Sequence, residues 1–358
     1  MKINSLYIGD ITLKYPIFQG GMGIGVSLGR LAGAVAKEGG AGTISAAQIG
    51  FWEEDFDENP FGANLRAMEK ELNKARTIAP DGFIGFNIMV AMKNYEQYVK
   101  RAAEIGADFI VSGAGLPVEL PEYVKNYNIK IAPIVSTEKS AHVILNYWSK
   151  KHDRTPDFIV IEGPCAGGHL GFTKDQLDIF NETAYEAEVK KIIAKVKEFE
   201  TLYCQKIPVV LGGGICNKTQ AAKAFVLGAD AIQVATRFVT TEECDADEAF
   251  KMSYINAKKD DIVIVKSPVG MPGRAIMNPF MKRVSAGEKV SPKKCRGCLR
   301  KCNPAEIPYC ITEALINAAK GNVDEALLFC GANAYKAKKI EKVKDVIDSF
   351  FGNDDRMS

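Results

Sequence analysis

Residues 157–171 read Asp-Phe-Ile-Val-Ile-Glu-Gly-Pro-Cys-Ala-Gly-Gly-His-Leu-Gly. The apolar run at 158–161 predicts a strand buried on both faces, as in a parallel sheet. Glu162 follows this strand, and a glycine-rich loop then carries His169. Because glycine lacks side-chain bulk and permits positive φ, a flat ligand can approach this loop beneath the imidazole. The alternative interpretation is an ordinary flexible loop with a solvated histidine.

The same alternation of a short apolar run and a helical pattern extends along most of the chain. Eight runs predict strands, at residues 15–19, 41–45, 83–88, 109–112, 130–135, 158–161, 208–211 and 231–235. Apolar residues three and four positions apart predict helices, at residues 28–37, 64–77, 95–105, 139–150, 184–203, 218–227 and 245–256. Eight strand–helix repeats in about 250 residues are typical of an α/β fold, the (β/α)8 TIM barrel, whose active site lies at the carboxyl ends of the strands.

A doubly wound open sheet is the competing architecture for such an alternation. The loop after the first predicted strand, residues 20–25, reads Gly-Gly-Met-Gly-Ile-Gly. This order lacks the register of the dinucleotide-binding motif Gly-x-Gly-x-x-Gly. The loop and the count of eight strands both favour the barrel.

The loops after the seventh and eighth predicted strands have the features of an anion site. Gly212, Gly213 and Gly214 follow strand seven, and Ala235 and Thr236 follow strand eight. Barrels commonly hold phosphate at these two loops through backbone N–H groups, and a threonine hydroxyl adds a donor. The sequence therefore predicts a phosphate-bearing ligand, with the alternative that the glycines only form tight strand–helix turns.

The composition restricts the classes of function that fit the chain. Of its 358 residues, 47% are hydrophobic and 25% charged, which suits one large α/β domain with an appendage. A net charge of +2 offers no electrostatic reason to predict binding to nucleic acid or to a membrane. Nine mostly scattered cysteines and an N-terminus unlike a signal peptide predict a cytoplasmic protein in a reducing compartment.

Six motifs in order resemble one known family. They lie at residues 16–23, 85–87, 162–169, 208–214, 228–234 and 236–238, and read PIFQGGMG, GFN, EGPCAGGH, PVVLGGG, GADAIQV and TRF. By these motifs the chain resembles the nitronate monooxygenase (2-nitropropane dioxygenase) family, which includes flavin-dependent enoyl-acyl-carrier-protein reductases and some NADH:quinone reductases. The resemblance runs from about residue 10 to about residue 280, and six motifs in the same order make it specific.

The resemblance implies a barrel that holds FMN, and it assigns roles to individual residues. The flavin-binding positions that it implies are Gly21, Met22, Gly23, Asn87, Glu162 and Gly168. The phosphate-binding positions that it implies are Gly212, Gly213, Gly214, Ala235 and Thr236. His169 matches the active-site histidine of the family, which makes it the catalytic candidate. The same residues serve nitronate oxidation by O2 or enoyl thioester reduction by NAD(P)H.

The chain departs from the pattern of the family at two positions. Ala235 stands where many relatives have glycine before the Thr-Arg-Phe triplet, and its methyl group adds bulk beside the phosphate. Cys165 stands where many relatives have an acidic residue before Ala-Gly-Gly-His, which weakens the assignment of a substrate. A redox-active thiol and a small packing residue are both open interpretations of Cys165.

The pattern changes after residue 280, so we predict a barrel over residues 1–280 and a helical extension over residues 281–358. The helices predicted in the extension lie at residues 311–320, 323–330 and 340–350. The cysteines of the extension are Cys295, Cys298, Cys302 and Cys310, and a basic run at residues 282–301 includes the first two. Their spacing fits an iron–sulfur cluster or a zinc ion, and the alternative is a helical cap in which the thiols pack as apolar residues.

An FMN-dependent oxidoreductase is the leading function that the resemblance implies, with alkyl nitronates as small-molecule substrates and O2 as oxidant. One alternative is an NAD(P)H-dependent enoyl-acyl-carrier-protein reductase or NADH:quinone reductase of the same family. A flavin/iron–sulfur electron-transfer or redox-sensing protein is the other. The basic run is a solvated surface or a docking site for an acidic acyl carrier protein. The sequence leaves the oligomeric state open, with a homodimer as one alternative.

Overall fold

The structure is a computed structural model that describes residues 4–180 and 182–352. Its strands are β1 (Leu6–Ile8), β2 (Ile11–Leu13), β3 (Ile17–Gln19), β4 (Gly42–Ser45), β5 (Ile84–Met89), β6 (Phe109–Gly113), β7 (Lys130–Val135), β8 (Ile159–Glu162), β9 (Gly168–His169), β10 (Val209–Gly212), β11 (Ala231–Val234), β12 (Ile262–Lys266) and β13 (Pro272–Ile276). Its helices are α1 (Gly29–Lys37), α2 (Pro60–Ile78), α3 (Tyr95–Glu104), α4 (Leu120–Tyr123), α5 (Glu138–His152), α6 (Lys174–Ile179), α7 (Glu182–Tyr203), α8 (Lys218–Leu227), α9 (Thr236–Val239), α10 (Glu248–Asn256), α11 (Pro279–Ser285), α12 (Ile311–Ala319) and α13 (Val343–Phe351).

Eight of the described strands pair in parallel, in the order β3-β11-β10-β8-β7-β6-β5-β4. A parallel bridge between Phe18 and Ala41 joins the two ends of this sheet, which therefore closes into a barrel. Each predicted strand overlaps one of these eight, and helices lie between them. The predicted (β/α)8 barrel is confirmed, and the doubly wound open sheet is wrong because its edge strands would remain unpaired.

Aromatic side chains fill the interior of the barrel at its amino-terminal end. Phe18, Phe109 and Phe158 are fully buried, with ring centroids 5.0 to 6.0 Å apart. Leu6 and Ile8 of β1 join the same apolar cluster and close this end. Because side chains fill the amino-terminal end of the barrel, a ligand can bind only at the carboxyl ends of the strands.

A small antiparallel sheet of β9, β13 and β12 was not predicted from the sequence. Its β9 belongs to the glycine-rich loop after β8 and pairs His169 with Gly273 of β13. Leu170 N–H also donates to Pro272 O at 2.9 Å. This pairing holds the loop in one conformation, although its glycine-rich composition is typical of a flexible loop.

The carboxyl-terminal residues pack against the barrel. Phe350 of α13 is buried in the same apolar cluster as strand residues and α1. Phe351 stacks on Tyr15 with ring centroids 5.4 Å apart, and Glu341 pairs with Arg237 at 2.9 Å. The domain boundary after residue 280 stays a prediction, and these contacts cross it.

One predicted helix, at residues 323–330, is wrong. A 3-10 turn forms at Val323–Glu325, and the chain then runs extended, with Phe329 bridged to Ala275 of β13. Pairing with a neighbouring strand overrides the helical spacing of the apolar residues in this segment. Within the described residues, no helix combines the length and the apolar character that crossing a bilayer requires.

Candidate active site

A cavity of about 240 Å³ opens at the carboxyl ends of the barrel strands, and the loop after β3 forms one of its walls. A β-carbon on Gly21 would lie 2.3 Å from Asn87 Cβ, and one on Gly23 would lie 2.6 Å from Ser45 Oγ. Only glycine fits at these two positions, so the loop packs closely on the ends of β4 and β5. Met22 lies between the two glycines and also lines the cavity.

Glu162 lines the cavity at the end of β8. Burial raises the pKa of its carboxyl group to about 7. Tyr185 donates to its backbone carbonyl at 3.1 Å, but no described residue hydrogen-bonds the carboxyl group itself. The side chain is half-buried, so its carboxyl group keeps access to the cavity. Glu162 is therefore suited to hydrogen-bond a ligand in the cavity.

The loops after β10 and β11, residues 213–216 and 235–236, form a second wall, termed the cradle. Gly213 and Gly214 have φ values of +102° and +92°, a region that favours glycine. A β-carbon on Gly213 would lie 2.7 Å from Gly163 Cα, so the cradle closely approaches the loop after β8. Successive backbone N–H groups in such a turn form a concave site for an anion.

Of the other predicted phosphate-binding residues, Ala235 and Thr236 line the cavity, whereas Gly212 does not. Ala235 lines the cavity, 3.3 Å from where a β-carbon on Gly20 would be. The Thr236 hydroxyl accepts from Gly331 N–H at 3.2 Å, which leaves its own proton to donate. Gly212 pairs within the barrel as the last residue of β10 and does not line the cavity.

His169 lines the cavity from β9, next to Gly168 with its φ of +70°. Its Nε2 lies 2.8 Å from Ser267 Oγ, and its ring meets the Phe329 ring edge-on with centroids 4.9 Å apart. Burial lowers the pKa of His169 to about 4, so the imidazole is neutral near pH 7. Sequence reasoning missed Ser267 because it follows β12, 98 residues away, and no motif marks it.

Arg274 of β13 fixes the loop between Glu162 and His169. Its Nη1 donates to Pro164 O at 2.8 Å and also to Ala166 O. These bonds hold in place the loop that carries Cys165, an exposed thiol along the cavity.

Residues 330–336, termed the strap, bring the carboxyl-terminal part of the chain onto the cradle. Ala332 N–H donates to Cys165 O at 3.1 Å, and Asn333 Nδ2 donates to Gly214 O at 2.7 Å. Cys330 and Asn333 also line the cavity. Sequence reasoning missed this contribution because it assigned the start of the strap to a helix of the extension.

The four cysteines of the extension do not line this cavity. Cys295 and Cys302 are exposed, whereas Cys298 and Cys310 are half-buried. Lys93 N–H donates to Cys298 O at 3.1 Å, which places this segment beside the loop after β5. In residues 4–180 and 182–352, no three His, Cys, Asp or Glu side chains meet as metal ligands do. The metal-binding role of the four cysteines stays a prediction.

The family model for nitronate monooxygenase matches residues 4–352 of the chain. The chain belongs to the nitronate monooxygenase family. The enzymes of this family are FMN-dependent oxidoreductases. The predicted family and enzyme class are therefore confirmed.

Individual relatives agree with this assignment. A probable nitronate monooxygenase of Staphylococcus saprophyticus is 25% identical over 307 residues, which cover 80% of this chain and 82% of the relative. The solved structure of FabK from Thermotoga maritima has a TM-score of 0.72 and 24% identity, covering 95% of this chain and 92% of FabK. A nitroalkane oxidase from Streptomyces ansochromogenes has a TM-score of 0.70 and 17% identity, with 95% of each chain covered. These two structures show that the fold is shared.

Proposed function

We propose that the chain is a nitronate monooxygenase that oxidises alkyl nitronates with O2, using FMN held in the cavity. One observation carries the proposal: a neutral, half-buried His169 lines a cavity whose other walls fit a flavin and its phosphate. The membership of the chain in the nitronate monooxygenase family over residues 4–352 supports it.

The fit to FMN rests on three features of the walls. The loop at Gly21 and Gly23 packs closely on Asn87 and Ser45, and its backbone lines the cavity without side chains at these two positions. The unpartnered Glu162 carboxyl group can hydrogen-bond the polar edge of the flavin ring, and the cradle can bind the phosphate of FMN. The residues that would hold FMN are Gly21, Met22, Gly23, Asn87, Glu162, Gly168, Gly213, Gly214, Ala235 and Thr236. Gly212 would act indirectly, by placing the two glycines that follow it.

The role of His169 follows from its protonation and its partner. Bound FMN supplies the electron-accepting chemistry and the reaction with O2. The Nε2 atom of His169 is held by Ser267, and Nδ1 has no hydrogen-bond partner in the described part of the chain. If Ser267 donates to Nε2, then Nδ1 carries a proton and can donate to a nitronate oxygen. In the other tautomer, Nδ1 accepts a proton and can act as a base toward a neutral nitroalkane.

The test is anaerobic reduction of the FMN-loaded protein in a stopped-flow instrument, with an alkyl nitronate, NADH or NADPH as the sole reductant. Rapid bleaching of the flavin by the nitronate, without bleaching by pyridine nucleotides, is the expected result. Bleaching by NADH or NADPH alone would contradict the proposal and indicate a reductase of enoyl thioesters or quinones. A visible spectrum with iron analysis tests the flavin/iron–sulfur alternative, which requires iron and a broad shoulder beside the flavin bands.

A further inference from the structure

Phe329 forms a wall of the cavity beside His169. It directly precedes the strap and lines the cavity with a half-buried side chain. Its ring meets the imidazole edge-on, with centroids 4.9 Å apart, and Ser267 bonds Nε2 of the same imidazole at 2.8 Å. The space around the catalytic candidate is therefore bounded partly by a residue from the predicted extension.

The small antiparallel sheet places the two rings on one face. His169 pairs with Gly273 of β13, and Phe329 bridges to Ala275 of the same strand. Side chains of paired residues lie on the same face of a sheet, as do side chains two positions apart on one strand. The rings of His169 and Phe329 therefore share a face, and β13 lies between them.

Gly273 leaves the space through which Phe329 reaches the imidazole. A β-carbon on Gly273 would lie 2.8 Å from Phe329 Cε1, which is closer than two carbon atoms pack without strain. The φ of Gly273 lies outside the left-handed region that favours glycine. A side chain at this position would therefore disturb the ring contact and not the backbone conformation.

Hydrogen bonds to two elements hold the backbone at Phe329 in place. Cys330 N–H donates to Arg274 O of β13 at 3.0 Å. The hydroxyl group of Tyr254, a buried residue of α10 that also lines the cavity, donates to Phe329 O. The ring of Phe329 is therefore a wall in a fixed position.

The cavity is apolar around this ring. Leu315 and Leu327 also line the cavity, and Phe329 packs with them in one apolar cluster. Burial of an alkyl group against such a surface is favourable in proportion to the apolar area that leaves water. Loss of the Phe329 ring would therefore enlarge the cavity by a space that suits further CH2 groups.

We propose that Phe329 is a specificity-determining residue, whose ring limits the length of the alkyl group that a substrate can place beside His169. Gly273 allows the ring to take this position. The enzyme therefore prefers nitronates with short alkyl chains. This inference rests on the proposed oxidation of alkyl nitronates and narrows the class of substrate.

The experiment compares kcat/KM for the nitronates of nitroethane and 1-nitrohexane, measured as O2 consumption by the FMN-loaded enzyme. The selectivity is the value for the longer nitronate divided by the value for the shorter one, so a uniform loss of activity cancels. Phe329→Ala should raise this ratio about tenfold, because the space that the ring leaves accepts the additional CH2 groups. Gly273→Ala should lower the ratio, because its methyl group takes space from the ring and pushes it toward the cavity.

Two leucine variants serve as a conservative change and as its matched control. Phe329→Leu keeps an apolar side chain of smaller size and should raise the ratio by less than Phe329→Ala does. Phe280→Leu changes a residue of the same apolar cluster that does not line the cavity, so its ratio should equal that of the wild type.

Binding without turnover gives an independent readout. Propionate and heptanoate carry planar anionic groups that resemble a nitronate, and their dissociation constants follow from the change that they cause in the flavin spectrum. Phe329→Ala should strengthen the binding of heptanoate relative to that of propionate, also by about tenfold.

The outcomes separate this inference from the proposed function. If the wild type oxidises nitronates and both Phe329 variants keep its selectivity ratio, the specificity role of Phe329 is overturned and nitronate oxidation stands. If the wild type oxidises neither nitronate, the proposed function is overturned and the inference with it.

Discussion

At the scale of single residues, burial sets the protonation of Glu162. It raises the pKa of this carboxyl group from its ordinary value of 4.5 to about 7. Between these two values, the native state binds more protons than the unfolded chain, so this group makes the protein less stable as the pH rises. His169 has the opposite effect, since burial lowers its pKa from 6.5 to about 4. Its contribution to stability increases as the pH rises through that window.

The variant Glu162→Gln isolates the first of these effects. Glutamine cannot ionise, so the free energy of unfolding of the variant, minus that of the wild type, should increase from pH 5 to pH 8. Denaturation of both flavin-free proteins at several pH values measures this difference, from which the contribution of His169 cancels. A difference that stays constant with pH would show that the carboxyl group titrates outside this window.

Ser267 acts through His169, and its variants should show this dependence. Ser267→Ala removes the hydroxyl group and leaves Nε2 of His169 without its partner. We therefore expect reduction of the flavin by an alkyl nitronate to slow about tenfold. His169→Ala should slow it by about 10²–10⁴-fold while FMN stays bound. In the double variant, Ser267→Ala should add no further loss. Additive losses would assign Ser267 a role separate from the histidine.

Sequence patterns located residues near the carboxyl ends of strands. Asn87 lies near the end of β5, Glu162 is the last residue of β8 and Thr236 follows β11, so periodicity and barrel geometry together place them at one rim. Asn333 lines the same cavity from the strap, and Ser267 contacts the cavity residue His169 from the turn after β12. Their placement depends on tertiary pairing between distant segments, which local periodicity does not encode.

At the scale of secondary-structure elements, sequence patterns indicate correctly those features that depend on contacts within one element. Asn217, a residue type that favours helix caps, precedes α8, and its side chain accepts from Gln220 N–H at 2.9 Å. The predicted helix at 323–330 failed because its extended part pairs with β13. A helical apolar spacing does not say whether a partner strand lies nearby.

Helix α13 offers the clearest test at this scale. Phe350 is 2% exposed, and Arg237 lies over its ring, 5.9 Å from the centroid. Phe350→Ala should lower the free energy of unfolding by about 3–5 kcal/mol, because it leaves a cavity in the apolar cluster that α13 shares with the barrel. Denaturant titration of the flavin-free protein measures this loss. The control Val226→Ala, at a side chain that is 85% exposed, should change stability by no more than about 0.5 kcal/mol.

At the scale of the whole molecule, the contacts across residue 280 decide how the chain unfolds. The strap bonds to three barrel loops, and α13 shares the apolar cluster of the barrel. Burial shared between two segments makes the unfolding of each depend on the other. The composition change that marked the extension in the sequence reflects its surface charges and cysteines, which say nothing about its buried face.

We therefore expect residues 4–352 to unfold in one cooperative transition. Thermal melting of the flavin-free protein, followed by far-ultraviolet and near-ultraviolet circular dichroism, should give coincident curves. A chain shortened to residues 1–280 should fail to show this transition, because it lacks the side chains that cover the barrel at α13. The full-length chain, measured under the same conditions, is the control. Two separate transitions, or a stable fold of residues 1–280 alone, would show that the barrel and the extension are independent units.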